Sequence, residues 1–316
     1  MILSRAMTAE IQSAYLAPEG LSEPLLKEIE GVIAVQNRLV LSSQPFINAY
    51  WAQNIWKNPK IIPIDSINDA AKKLESNQRN WCLYSFILHR RAKLIEEKLN
   101  SRKPKLLTFP ASLSGDPLGS WCLLDENTIL ASADCTSPFP NGKPSFIEDK
   151  SGPPNRAYLK LYEALTLAEK TPKISEFCID IGGSPGGWAW VIQKCGAEVL
   201  SIDRSPLDEK ISKLKGVSFK KQDAFSLLPE EFEKEGRSVD WFFSDVICYP
   251  EKLYNWLLVW INSGICKNFI CTIKLKSESR QDIIKKFSAI PNSKVVHLFY
   301  NKNELTYFNL GHTQKK

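Results

Sequence analysis

Between Ser175 and Ser205 the chain reads S-E-F-C-I-D-I-G-G-S-P-G-G-W-A-W-V-I-Q-K-C-G-A-E-V-L-S-I-D-R-S, an order of residue types that few folds accommodate. Phe177, Cys178 and Ile179 form a short apolar run ending in Asp180, which reads as a strand buried on both faces. Gly182, Gly183, Gly186 and Gly187 then crowd six positions, where the backbone must approach a ligand closely or take positive φ. Residues 188–194 follow as a helix, opened by Trp188, and residues 198–202 as a second strand ending in Asp203. An acid about twenty residues past the first glycines, at the tip of the next strand, is placed to accept both hydroxyls of a ribose.

The stretch is a nucleoside-binding βαβ unit that fits a dinucleotide fingerprint poorly. G-x-G-x-x-G needs glycine where Ser184 stands, and Pro185 removes an amide that a pyrophosphate would use. A ligand with a ribose and no phosphate fits better, and S-adenosylmethionine (SAM) is the commonest of these. The bland alternative is a glycine-rich turn serving chain packing alone. Four glycines with an acid at both strand tips weigh against it.

At 316 residues there is room for two domains, and 43% hydrophobic with 24% charged residues supports a core. The net charge of +6 suits an RNA partner, although enzymes of neutral substrates are often as basic. Eight cysteines include no C-x-x-C pair, and only three histidines are available beside them, so neither a metal site nor a disulfide framework is expected. The first ten residues hold no apolar stretch long enough for export, and no run reaches membrane-spanning length. The expectation is a cytoplasmic protein with no membrane or metal partner; its oligomeric state is open, with a monomer favoured.

Residues 1–135 read as a separate α+β module. Strands are expected over 14–17, 38–41, 82–87, 106–109, 121–124 and 128–133, and helices over 19–30, 66–74 and 90–99. Arg90, Arg91, Lys93, Arg102, Lys103 and Lys105 form a basic run that suits RNA phosphate, or simply a solvated face. Residues 136–154 carry five prolines and two glycines, which exclude regular structure. They form either a linker or a loop folded over an active site.

Residues 136–316 make the second module. A helix from 154 to 169, with Asn155 as cap, precedes the glycine loop. Beyond Asp203 strands alternate with helices: strands over 216–220, 239–243 and 268–273, helices over 254–262 and 279–289. A closing hairpin over 294–299 and 305–309 follows. Ligand groups in an open α/β sheet gather at the carboxyl ends of its strands. That rule selects Asp180, Asp203, Asp223, Asp245 and Lys274, with Asp203 suited to the ribose and Asp223 to the adenine amine.

The motifs P-N-R-A-Y-L-K-L, D-I-G-G-S-P-G-G-W, S-D-V, C-T-I-K and N-K-N-E-L-T resemble those of the RrmJ/FtsJ-type SAM-dependent ribose 2′-O-methyltransferases. Over residues 136–310 the chain is most similar to their RlmM group, which methylates a cytidine ribose in bacterial large-subunit 23S rRNA. The resemblance implies a Rossmann-like sheet with helices on both faces and a terminal antiparallel hairpin. It implies SAM as cofactor, with Asn155, Asp180, Gly182, Gly183, Ser184, Pro185, Gly186, Gly187, Trp188, Asp203, Asp223 and Asp245 around it. It also implies a catalytic Lys-Asp-Lys-Glu tetrad at Lys160, Asp245, Lys274 and Glu304. Ser184 replaces the alanine or cysteine of many relatives. A ferredoxin-like and THUMP-like RNA-binding part is the expectation for the leading module.

A ribose 2′-hydroxyl must lose its proton as it attacks the methyl carbon, and a lysine can take that proton only if neutral. Burial or nearby positive charge favours the neutral form; Lys160 and the SAM sulfonium are candidates for that charge, with Asp245 and Glu304 orienting the amines. Lys274, next to the apolar run, is the better base; Lys276, two positions further out on the same face, suits an RNA phosphate. Two other functions remain open: ribose methylation of tRNA or an mRNA cap, and a non-catalytic RNA-binding assembly factor.

Overall fold

The computed structural model describes residues 10–101, 105–113, 115–275 and 281–311. Arg102, Lys103, Lys276 and the first two residues of the helix expected over 279–289 lie outside the described residues. The chain divides into two compact units, residues 1–107 with 113–145 and residues 108–112 with 146–316.

The first unit contains β1 (Ser13–Leu16), α1 (Ser22–Leu26), β2 (Val32–Gln36), β3 (Leu39–Ser42), β4 (Asn54–Lys57), β5 (Lys60–Pro63) and α2 (Ile67–Glu75). It continues with β6 (Trp81–Leu83), α3 (His89–Lys98), β7 (Gly119–Asp125), β8 (Thr128–Ser132) and β9 (Asp134–Cys135). One sheet has the order β2-β3-β1-β4-β9 and the other β5-β8-β7-β6. Ala70 and Leu74 of α2 and Ala92 and Ile95 of α3 bury against Trp121, Leu123 and Ile129 of the second sheet. The Ser66 hydroxyl caps α2 by accepting from the Asp69 amide, one of the orphan donors of a helix start.

The strand expected over 82–87 ends at Leu83, and the helix expected from 154 starts at Tyr158 with Ala157, not Asn155, at its cap position. Two further local expectations fail for identifiable reasons. The helix expected over 19–30 is only Ser22–Leu26, because Gly20 and Gly31 both take positive φ and bracket the segment with turns. The strand expected over 106–109 is a single contact, Leu107 N–H to Ser145 O at 2.7 Å; beyond it the chain joins the second unit, where Phe109 stacks on Tyr162 at 3.9 Å. The division between units also falls about ten residues later than the expected 135/136. Ser137 N–H donates to Asn54 Oδ1 and the Asn141 amide donates to Leu83 O, which fastens residues 136–142 to the first unit.

In the second unit α4 (Tyr158–Ala168) precedes β10 (Phe177–Ile181), α5 (Gly187–Lys194), β11 (Glu198–Asp203), α6 (Glu209–Ser212), β12 (Val217–Lys221) and α7 (Pro229–Lys234). Then come β13 (Val239–Ser244), α8 (Pro250–Ser263), β14 (Cys266–Lys274), α9 (Gln281–Ser288), β15 (Ser293–Val296) and β16 (Glu304–Leu310). The seven-stranded sheet has the order β12-β11-β10-β13-β14-β16-β15. Strands β10 to β14 pair in parallel, and β16 runs antiparallel to both β14 and β15. All five residues of β10 are buried, as a central parallel strand covered on both faces requires. The order reverses between β10 and β13, and the crevice for a ligand opens at the carboxyl ends of those strands.

Candidate active site

The glycine loop leaves β10 at that crevice. Gly186 sits at φ 111°, which a side chain would strain, and ends the loop where α5 begins. A Cβ on Gly183 would lie 2.0 Å from Ser201 Oγ and 2.6 Å from Asp180 Oδ2, so only bare backbone passes there. Asp180 lies beneath the loop, 1% exposed, with Oδ1 unpartnered among the described residues and Ser201 Oγ 3.4 Å from Oδ2. Burial, then the charge of Asp245, pushes its carboxyl up to about 8. At the tip of β11 the Asp203 carboxylate accepts from Ser184 N–H at 3.1 Å and Ser205 N–H at 2.9 Å. Each oxygen keeps lone-pair capacity for a ribose hydroxyl. A bare glycine main chain, an acid at the next strand tip and a buried orphan carboxyl oxygen fit the methionine end and the ribose of SAM.

Other residues of the expected cofactor set take varied places. Asn155 Oδ1 accepts from Ala157 N–H at 3.0 Å and stands 2.6 Å from where a Cβ on Gly187 would be, so it borders the loop. Ser184 Oγ donates to Pro206 O, and the Pro185 carbonyl accepts from Asp208 N–H at 2.9 Å. Asp223 pairs with Arg204 and accepts from Phe225 N–H. Trp188 is buried in the same region. The residue is 4% exposed, its ring packs edge-on against Phe243, and its ring N–H donates to Ala157 O, tying α5 to the start of α4.

Four charged side chains from four elements converge beside the loop. Lys160 Nζ on α4 lies 2.6 Å from Glu304 Oε1 and 3.2 Å from Asp245 Oδ2. Lys274 Nζ, the last residue of β14, lies 2.5 Å from Asp245 Oδ1 and 3.5 Å from Glu304 Oε2. Burial alone would lower the Lys160 amine, but the carboxylates of Asp245 and Glu304 outweigh it and hold the amine above its usual value. Burial likewise works against ionisation of Asp245 and Glu304. Lys160 and then Lys274 overcome it, so both carboxyls stay below the ordinary range. Lys160, Asp245 and Glu304 are coupled, each held in its charged form by the others' opposite charge.

One member escaped the sequence reading. The fully buried Thr272 donates to Asp245 Oδ1 at 2.7 Å and fixes the carboxylate between the lysines. Its signal was present in C-T-I-K, since a residue two before Lys274 in a strand shares its face. Among the described residues no cluster of three or more histidine, cysteine, aspartate or glutamate side chains is arranged to hold a metal ion.

The family model of the FtsJ-like methyltransferases matches residues 153–304. The chain is 30% identical over 225 residues to the ribosomal RNA large subunit methyltransferase M of Xanthomonas oryzae pv. oryzae, an alignment covering 68% of this chain and 59% of that protein. It is 28% identical over 218 residues to the protein of the same name from Marinobacter nauticus, covering 63% of this chain and 59% of that protein. The chain thus spans about three fifths of the length of these curated relatives.

Proposed function

Because residues 153–304 match the family model of the FtsJ-like methyltransferases, we propose that this protein transfers a methyl group from SAM to a ribose 2′-hydroxyl of large-subunit 23S rRNA, at a cytidine, in the cytoplasm. The observation that carries this reading is the ring of Lys160, Asp245, Lys274 and Glu304, which the fold assembles from four separate elements. The names of the relatives support the choice of RNA.

SAM would be held by the loop from Gly182 to Gly187 and by Asp203, and would supply a methyl group on a positively charged sulfur that departs in line with the attacking oxygen. Lys160, bonded to two carboxylates, stays an ammonium and keeps one N–H to direct at the ribose oxygen. Lys274, the other amine of the ring, takes the 2′-hydroxyl proton as the oxygen attacks the methyl carbon. Asp245, fixed by Thr272, orients the Lys274 nitrogen, and Glu304 offsets the positive charge of Lys160. The first unit binds RNA phosphate through Arg90, Arg91, Lys93 and Lys105. Mapping ribose methylation across total RNA from cells with and without this chain tests the proposal. A 23S rRNA site that depends on the chain is expected, and an unchanged map contradicts it.

A further inference from the structure

Glu163 is a costly residue to find where it is. Its carboxyl is 2% exposed, on the same face of α4 as Lys160 and one turn further along. No lysine, arginine or histidine is recorded within ion-pair distance of it among the described residues, and burying a carboxyl without a cation is expensive. Its partners are backbone. Oε1 accepts from Phe299 N–H at 2.8 Å and Oε2 from Tyr300 N–H at 3.1 Å. Burial pushes the carboxyl up to about 8, against these two amide bonds.

Both amides belong to the segment joining β15 to β16, and β16 begins with Glu304. That segment is also closed on itself. His297 Nε2 lies 3.0 Å from Lys302 O, Asn301 N–H donates to Leu298 O, and the Asn301 amide donates to Thr306 Oγ1 at 3.0 Å. Helix α4 therefore grips this connection twice, through Glu163 to the main chain at 299–300 and through Lys160 to the Glu304 side chain at 2.6 Å. The register of β16 with β14 sets where Glu304 starts, and the main-chain bonds to Glu163 add a tie between that connection and α4.

We propose that Glu163 is a positioning residue, whose carboxyl holds the β15–β16 connection against α4 so that Glu304 meets Lys160. The catalytic part of this inference rests on the function proposed above; the anchoring part does not. Glu163→Gln keeps the volume but sets an amide N–H against one of the two backbone donors, so one bond must break. Glu163→Asp keeps the carboxyl and withdraws it by one methylene, a second variant should the first fail to fold.

The experiment joins amide hydrogen exchange to kinetics on the full chain. In either variant the amides of Phe299 and Tyr300 are expected to exchange faster, with SAM affinity unchanged. The single-turnover methylation rate should fall by about tenfold or more while KM for RNA stays constant, the pattern of a lost transition-state interaction. Combined with Glu304→Gln, Glu163→Gln should slow the reaction no further than Glu304→Gln alone. Unchanged exchange at Tyr300 overturns the anchor. Faster exchange with an unchanged rate per folded molecule overturns the link to Glu304. A wild-type chain that methylates no RNA, with exchange altered as expected, sinks the functional reading and leaves the anchor standing.

Discussion

Lys274 and Glu304 stand opposite one another across the antiparallel β14–β16 pair, with Nζ and Oε2 3.5 Å apart. Main-chain register alone brings these two together. A slip of one residue in β16 would turn Glu304 to the other face of the sheet and dismantle the ring. Lys160 and Asp245 reach the same place from a helix and from the end of β13, so the tetrad depends on the packing of α4 over the sheet.

Lys160→Met keeps most of the volume and leaves two carboxylates to share one lysine. Methyl transfer is expected to fall by about a hundredfold or more, the usual scale for a positioned acid–base group, with SAM binding intact. Asp245 and Glu304 lie below their ordinary values of 3.8 and 4.5 in the folded protein. Their contribution to stability is therefore present above those values and is lost as pH falls through the lower folded ones. In Lys160→Met that contribution shrinks, so Tm should drop at pH 7 and change less than in the wild type on acidification from pH 5. An unchanged acid limb in a thermal scan contradicts the coupling.

Asp180 works in the opposite direction. Its carboxyl rises from 3.8 to about 8 on folding, so the native state holds a proton that the unfolded chain releases. Stability from this group is full below the unfolded value and is lost as pH rises toward about 8. Asp180→Asn should flatten the decline of Tm between about pH 4 and 8, the window set by those two values. A slope equal to that of the wild type excludes a protonated Asp180.

Asp203→Ala removes a charged acceptor at the ribose position and also releases the Ser184 amide of the glycine loop. Calorimetry should show SAM binding weakened by about 1.5–3 kcal/mol, roughly ten- to a hundredfold in Kd. Unchanged affinity would move the ribose site elsewhere.

In the first unit Arg90 is exposed on α3, while Lys93 already pairs with Glu96 at 2.6 Å. Arg90→Ala with Arg91→Ala should weaken RNA binding and reduce the slope of log affinity against log salt by about one per lost phosphate contact. The same slope in the variant would make the basic run a solvated face.

The second unit was legible because its signals are local. Buried parallel strands end in acids, glycines cluster in six positions, and alternation along β14 sets Lys274 on the crevice side. The first unit was harder to read. β5 is four residues with no buried position and a terminal proline, and β2 is half exposed, so neither shows a clean alternation. Glu163 carries no signal of its own, and Thr272 only the strand period that it shares with Lys274. Each matters through what folding brings to it, Phe299 and Tyr300 in one case and Asp245 in the other.

The central claim is that Lys274 removes the ribose proton, and Lys274→Ala tests it most directly. Methylation should be followed in single turnover, on an RNA that the wild-type protein modifies, with folding checked by the thermal transition and SAM binding by calorimetry. The variant is expected to fold, bind SAM as the wild type does and transfer no methyl group. Methyl transfer by Lys274→Ala at a rate near that of the wild type would contradict the account.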